Sequence, residues 1–177
     1  MTIMMLNGCA AVPNMQTVDY VDLDRFMGDW HVIASIPTIF DKHAVDPIET
    51  YSRNADGTIQ TTYSFRTKTI GSDAATNPSS AKTALDIGPR KEQTAKGYIR
   101  NQQTNAVWGM QFFWPIRADY RIVYLDDDYQ YTIIARNKKD FAWIMSRNTN
   151  ISSQKRQELF AFVTSLGYQL DAFSIHH

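Results

Sequence analysis

Few side chains in this sequence are placed to do covalent chemistry. The histidines are His31, His43, His176 and His177, and the single thiol is Cys9. No Gly-x-Ser-x-Gly elbow, phosphate-binding glycine loop or Cys/His metal spacing accompanies them. Nucleophilic catalysis needs a base oriented against its nucleophile, and a metal centre needs several ligands at fixed spacing. Neither pattern is present, so no catalytic residue, metal or cofactor is expected, and His176-His177 reads as a solvated tail. The remaining chemistry is apolar burial. Aromatic and methionine side chains recur at every second position, which is how a strand lines one face of a cavity.

Composition narrows the classes further. A chain of 177 residues is most simply one domain, and 44% hydrophobic with 12% aromatic content can both fill a core and line a pocket. Lys+Arg 18 against Asp+Glu 18 leaves no net charge, so no electrostatic footprint for nucleic acid exists. No run approaches the roughly 18 apolar residues of a spanning helix. One cysteine forbids an intrachain disulfide framework.

Cys9 has a different use. Leu6-Asn7-Gly8-Cys9 followed by Ala10-Ala11 has the look of a bacterial lipobox, whose cysteine becomes an acylated N-terminus. Acyl chains gain about 0.8 kcal/mol per buried methylene, so several hold a domain firmly at a membrane. A secretory leader also needs a basic segment and an apolar stretch of roughly 7–15 residues. Here only Ile3-Met4-Met5-Leu6 precedes the box. The expectation is a truncated lipoprotein signal and polar linker over residues 1–20, with the folded domain over 21–177. The alternative is a cytosolic chain with an incidental cysteine. Ala10 after the cysteine resembles lipoproteins sorted to the outer membrane, facing the periplasm.

The elements that must position the aromatic side chains are strands. Candidates recur with turn signals between them: Trp30–Ile36, Ile48–Arg53, Thr58–Lys68, Lys96–Arg100, Val107–Trp114, Tyr120–Leu125, Tyr129–Arg136 and Phe141–Arg147. Asn54-Ala55-Asp56-Gly57 and the stretch 136–140 are hairpin connections. Eight sequential strands at short spacing predict an all-β, up-and-down antiparallel barrel, a closure that removes sheet edges and leaves room for one small ligand. Gly71 to Gln93 reads as an irregular spacer. Ser152 to Leu166 reads as an amphipathic helix, with Ser152 at its N-cap and Gly167 just beyond its end. A short strand at Gln169–Phe173 is expected beside the first strand.

Three stretches occur in register along this chain: Gly28-Asp29-Trp30 entering the first strand, Asp126-Asp127-Asp128-Tyr129 before the seventh, and Phe141 to Arg147 ending in arginine before the helix. Together they resemble the three short motifs of the lipocalins, most closely the branch of bacterial lipocalins and apolipoprotein D, over roughly Val21 to Phe173. The resemblance implies an eight-stranded barrel with the C-terminal helix packed outside. It assigns Gly28, Trp30, Asp128, Tyr129 and Arg147 a structural role, with the Arg147 guanidinium lying across the Trp30 indole at the barrel floor.

The same resemblance turns Trp30, Val32 and Ala34 inward, makes Tyr51 and Trp143 pocket residues, and by parity takes Glu49 with Tyr51. Alternation places Ile59, Thr61, Tyr63 and Phe65 on one inward face and Trp108, Met110 and Phe112 on another. Phe141 and Met145 follow Trp143. The strand Tyr120–Leu125 does not declare its face. Glu49 is expected near the open mouth, either beside a ligand headgroup or as a solvated rim charge. The function implied is a lipid-anchored carrier of a small hydrophobic or amphipathic molecule, of the fatty acid or lysophospholipid class. The alternatives are a lipid-modifying enzyme built in the same barrel and an interaction barrel with a filled interior.

Overall fold

In the computed structural model the described residues are 14–38, 42–69 and 86–176. Cys9, the loop Ser72 to Ser80 and His177 lie outside them. A four-residue helix α1 (Leu23–Phe26) leads into strands β1 (Gly28–Ser35), β2 (Ala44–Arg53), β3 (Ile59–Thr69), β4 (Asp86–Ile87), β5 (Lys91–Ile99), β6 (Val107–Phe113), β7 (Ile116–Leu125), β8 (Tyr131–Ala135) and β9 (Ala142–Ser146). Helix α2 (Ser153–Ser165), a short 3₁₀ turn (Leu170–Ala172) and β10 (Ser174–Ile175) complete the chain.

Every sheet neighbour is antiparallel, and β9 returns to pair with β1. The eight strands β1, β2, β3, β5, β6, β7, β8 and β9 therefore close into a barrel, the up-and-down architecture expected from the spacing. The irregular stretch is shorter than expected at its C-terminal end. Asp86–Ile87 pair with Lys68 and Thr69 of β3, and Lys91 already belongs to β5. Residues 14–20 are attached to the barrel, with Val18 N–H donating to Ile122 O at 3.1 Å and Met15 N–H to Asn137 Oδ1 at 2.7 Å.

Buried side chains form two separate cores. One fills the barrel and includes Phe26, Trp30, Val32, Tyr51, Ile59, Phe65, Trp108 and Met145. The other lies between the barrel wall and α2, where Leu159 and Val163 meet Ala34, Val123, Ile133 and Ile144. The α2 ends are chemically fixed. Ser152 Oγ accepts from Lys155 N–H at 3.1 Å, and Gly167 with φ of 88° lets its own N–H reach Thr164 O and that of Tyr168 reach Val163 O.

Ala34 corrects a simple alternation. The β1–β9 register shifts between Val32 and Ala34, so Val32 stays inside while Ala34 turns out to the α2 core. A bulge adds one residue and reverses the parity of everything after it. The C-terminus departs from expectation as well. The 170–172 segment is a 3₁₀ turn, and the added strand is Ser174–Ile175 against Ala34 and Ser35. His176 is buried: its Nε2 lies 2.7 Å from Ser35 Oγ and its Nδ1 3.1 Å from Ala44 O. A carbonyl can only accept, so Nδ1 carries the proton.

Candidate ligand cavity

The floor is built first. Gly28 adopts φ of 91°, in the left-handed region that suits glycine, and turns the chain from α1 into β1. Asp22 caps α1 by accepting from Asp24 and Arg25 N–H at 3.0 and 3.3 Å. This turn carries Phe26 into the barrel, where its ring meets Trp30, Tyr51 and Trp108 at centroid distances of 5.2, 5.2 and 5.7 Å. Trp108 in turn stacks on Tyr120 at 5.7 Å.

Arg147 closes this floor from outside. Its guanidinium lies 3.8 Å over the Trp30 ring. Nη1 donates to Asp29 O at 2.7 Å, and Nη2 donates to Arg25, Phe26 and Met27 O at 2.8, 3.1 and 2.9 Å. Planar guanidinium donors suit this use because they fan out over several acceptors at once. Tyr129 lies alongside, its hydroxyl accepting from Asp22 N–H at 2.8 Å and its ring under Arg25 at 4.0 Å. The turn before β8 is organised by Asp126, whose Oδ1 accepts from Gln130 and Tyr131 N–H at 2.8 and 2.6 Å. Asp128 is exposed and offers its backbone carbonyl to Gln130 Nε2 at 3.2 Å.

Above the floor lies a cavity of about 590 Å³. Of the expected residues, Glu49, Thr61, Tyr63, Met110, Phe112, Phe141 and Trp143 line it. Val32, Tyr51, Ile59, Phe65, Trp108 and Met145 are packed in the barrel core and do not line it, so Trp108 belongs to the floor. Trp143 stacks on Tyr63 at 4.9 Å and meets Phe141 at 5.1 Å, a continuous aromatic wall. Additional lining comes from Phe113, Ile116, Ala118, Asp119, Tyr120 and Arg136. At the β6–β7 hairpin the apolar lining runs out into solvent: Phe113 is 75% and Ile116 72% exposed.

Glu49 is the electrostatic exception. It pairs with Trp30 across β1–β2 and with Tyr63 across β2–β3, which sets it just above the floor and not at the mouth. It is 3% exposed, and its Oε2 is sealed from solvent with no hydrogen-bond partner. Burial pushes its carboxyl well above the usual carboxylate range. The Tyr51 and Tyr120 hydroxyls hydrogen-bond each other, and burial raises both. The expected rim charge is thus an interior carboxyl. An ionised carboxylate there would lack compensation, so the neutral acid is the favoured form.

Three further polar side chains of the lining are engaged. Thr61 Oγ1 donates to Ala95 O at 3.1 Å, Asp119 Oδ2 accepts from Arg121 Nε at 2.9 Å, and Arg136 Nη2 donates to Asp140 Oδ2 at 2.8 Å. Among the described residues no cluster of three or more His, Cys, Asp or Glu could hold a metal ion. The site offers a wide apolar volume, an aromatic wall and one interior acid. That combination can bind an elongated, mostly apolar molecule.

Residues 21–177 match the model of the lipocalin-like domain family. The chain is 26% identical over 156 residues to outer membrane lipoprotein Blc of Escherichia coli (strain K12), covering 88% of this chain and 78% of that protein. It is 28% identical over 162 residues to temperature-induced lipocalin-1 of Arabidopsis thaliana, with coverage of 88% and 78%. Among solved structures, the cockroach allergen Per a 4 superposes with a TM-score of 0.57 at 15% identity, covering 91% of each chain. Insecticyanin of the tobacco hornworm Manduca sexta gives 0.54 at 16% identity, with coverage of 94% and 86%.

Proposed function

The chain belongs to the lipocalin-like family, and from that premise we propose that it is a lipid-anchored carrier whose cavity takes a fatty acid or a lysophospholipid. Lipocalins are mainly binding proteins for small hydrophobic ligands. The observation that carries the finer reading is the cavity itself. Its volume of about 590 Å³ lies within the roughly 300–1,000 Å³ of ligand pockets, and its aromatic and methionine wall opens through an apolar hairpin. An acyl chain fits that lining, with its methylenes against Trp143, Tyr63, Met110 and Phe112. Native mass spectrometry of the protein isolated from its own cells should show such a lipid in complex; a protein that is empty and stays empty when offered both lipid classes would overturn the reading.

Trp143 reports on occupancy. It lines the cavity, whereas Trp30 and Trp108 are sealed in the floor and Trp114 is 87% exposed at the hairpin tip. Titration with dodecanoic acid or a lysophosphatidylcholine should therefore change the tryptophan emission chiefly through Trp143. Trp143→Phe should abolish most of that change while the fold survives, because phenylalanine keeps most of the buried ring. An undiminished signal in this variant would place the ligand elsewhere.

The anchor is proposed at Cys9, supported by the lipobox-like Leu6-Asn7-Gly8-Cys9 and by relatives named as outer membrane lipoproteins. The corresponding location is the outer membrane, with the barrel facing the periplasm. Expressed behind a complete secretory leader, the protein should sediment with membranes, and Cys9→Ala should move it to the soluble periplasmic fraction. A variant that stays with the membranes would remove the acyl anchor from the proposal.

A further inference from the structure

We propose that the inner end of the cavity is a subsite for a neutral hydrogen-bond acceptor, such as a ketone, ester or un-ionised acid oxygen, with the Glu49 carboxyl as its donor. This rests on the reading of the barrel as a binder of apolar ligands and adds which end of such a ligand goes in first.

Three observations support it. Glu49 lines the cavity, is 3% exposed, and sits one layer above the floor as the cross-strand partner of Trp30 and Tyr63. Its Oε2 is sealed from solvent and without a hydrogen-bond partner, so the carboxyl keeps hydrogen-bonding capacity that the protein around it does not use. Trp143 Nε1 is likewise buried without a partner on the same cavity wall, and an indole N–H can only donate. The other charged and titratable groups around Glu49 are already committed. Tyr51 and Tyr120 bond each other, Asp119 holds Arg121, Arg136 holds Asp140, and Arg147 is spread over the floor carbonyls. Among the described residues no cation pairs with Glu49, and its burial favours the neutral acid. A neutral carboxyl donates, so the ligand group it selects is an acceptor, and the hydrocarbon tail then runs out along Trp143 to Phe112 and Ile116.

The test compares two probes of equal chain length, dodecyl methyl ketone and n-tetradecane, by competition against a fluorescent naphthylamine dye at about pH 7, where an ordinary glutamate is ionised. The wild-type protein should prefer the ketone by about tenfold, the size of one well-made hydrogen bond. Glu49→Gln, which keeps an N–H donor, should retain most of the preference, and Glu49→Leu should bind both probes within about twofold of each other. The infrared band of a protonated carboxyl should be present in the wild-type protein at this pH and absent from Glu49→Gln, a reading that does not depend on the leucine variant folding. An unchanged ketone preference in Glu49→Leu, equal binding of both probes by the wild-type protein, or a fully ionised Glu49 would overturn the subsite while leaving the carrier reading intact. Failure of both probes and the dye to enter the wild-type barrel would instead overturn the carrier reading.

Discussion

Trp30→Ala is expected to destabilise the barrel by about 3–5 kcal/mol, the usual cost of deleting a fully buried aromatic side chain. The indole is completely buried, donates from Nε1 to Phe26 O at 2.9 Å and lies between the Phe26 ring and the Arg147 guanidinium. Arg147→Ala should cost at least about 2 kcal/mol, because charged donors are withdrawn from four carbonyls between the end of α1 and the start of β1. The two losses overlap. The stacking of cation on indole, worth roughly 0.5–2 kcal/mol, is counted in both single variants, so the double variant should lose less than the sum. Urea denaturation of the four proteins measures this directly, and strict additivity would mean that the two side chains do not work as one unit.

The second large effect is expected on the opposite side of the barrel wall. Leu159 is 1% exposed and packs from α2 against the outward residues of β1, β8 and β9. Leu159→Ala should lower stability by about 2–5 kcal/mol through lost burial and the cavity left behind. The two cores share no side chain, so affinity for an apolar ligand should stay within about twofold of wild type. A large loss of binding would show that the helix supports the cavity wall.

Much of the architecture is legible in the sequence because local signals agree. Period-two alternation gives strands, Ser152 and Gly167 bracket the helix, and the resemblance of the Gly28-to-Trp30 and Phe141-to-Arg147 stretches to lipocalin motifs implies the arginine that lies across the floor tryptophan. Legibility ends at the bulges. Ala34 follows a register shift, and so does Phe113, which lines the mouth after the shift between Met110 and Phe113. The strand that declares no face has the same cause. Its register shifts between Ile122 and Tyr124, which puts the consecutive residues Val123 and Tyr124 both on the helix side and returns Leu125 to the barrel core with Ile122. One extra residue is invisible to a count of alternating positions, because it is defined by what the neighbouring strand does.

Depth along the barrel is the other quantity that alternation cannot supply. Parity with Tyr51 correctly turns Glu49 inward, yet whether an inward residue sits at the mouth or above the floor depends on the β1–β2 register, which pairs it with Trp30. His176 was hidden for a similar reason. Its burial comes from Ser35 and Ala44, far away in sequence, and no local pattern marks a terminal histidine for such a place.

The Arg147 clamp also has a bearing on how fast the barrel comes apart. Its hydrogen bonds to residues 25–29 join positions 118 to 122 apart in the chain. Contacts that span so much of the sequence carry a large loop-closure entropy, and a meander of hairpins can form before them. A clamp added after the folding barrier is crossed contributes little to the folding rate, and nearly all of its energy appears in the unfolding rate. Arg147 is in this sense a latch on the seam between β1 and β9. By this argument it governs the lifetime of the closed barrel, and with it how long the floor stays shut beneath the cavity.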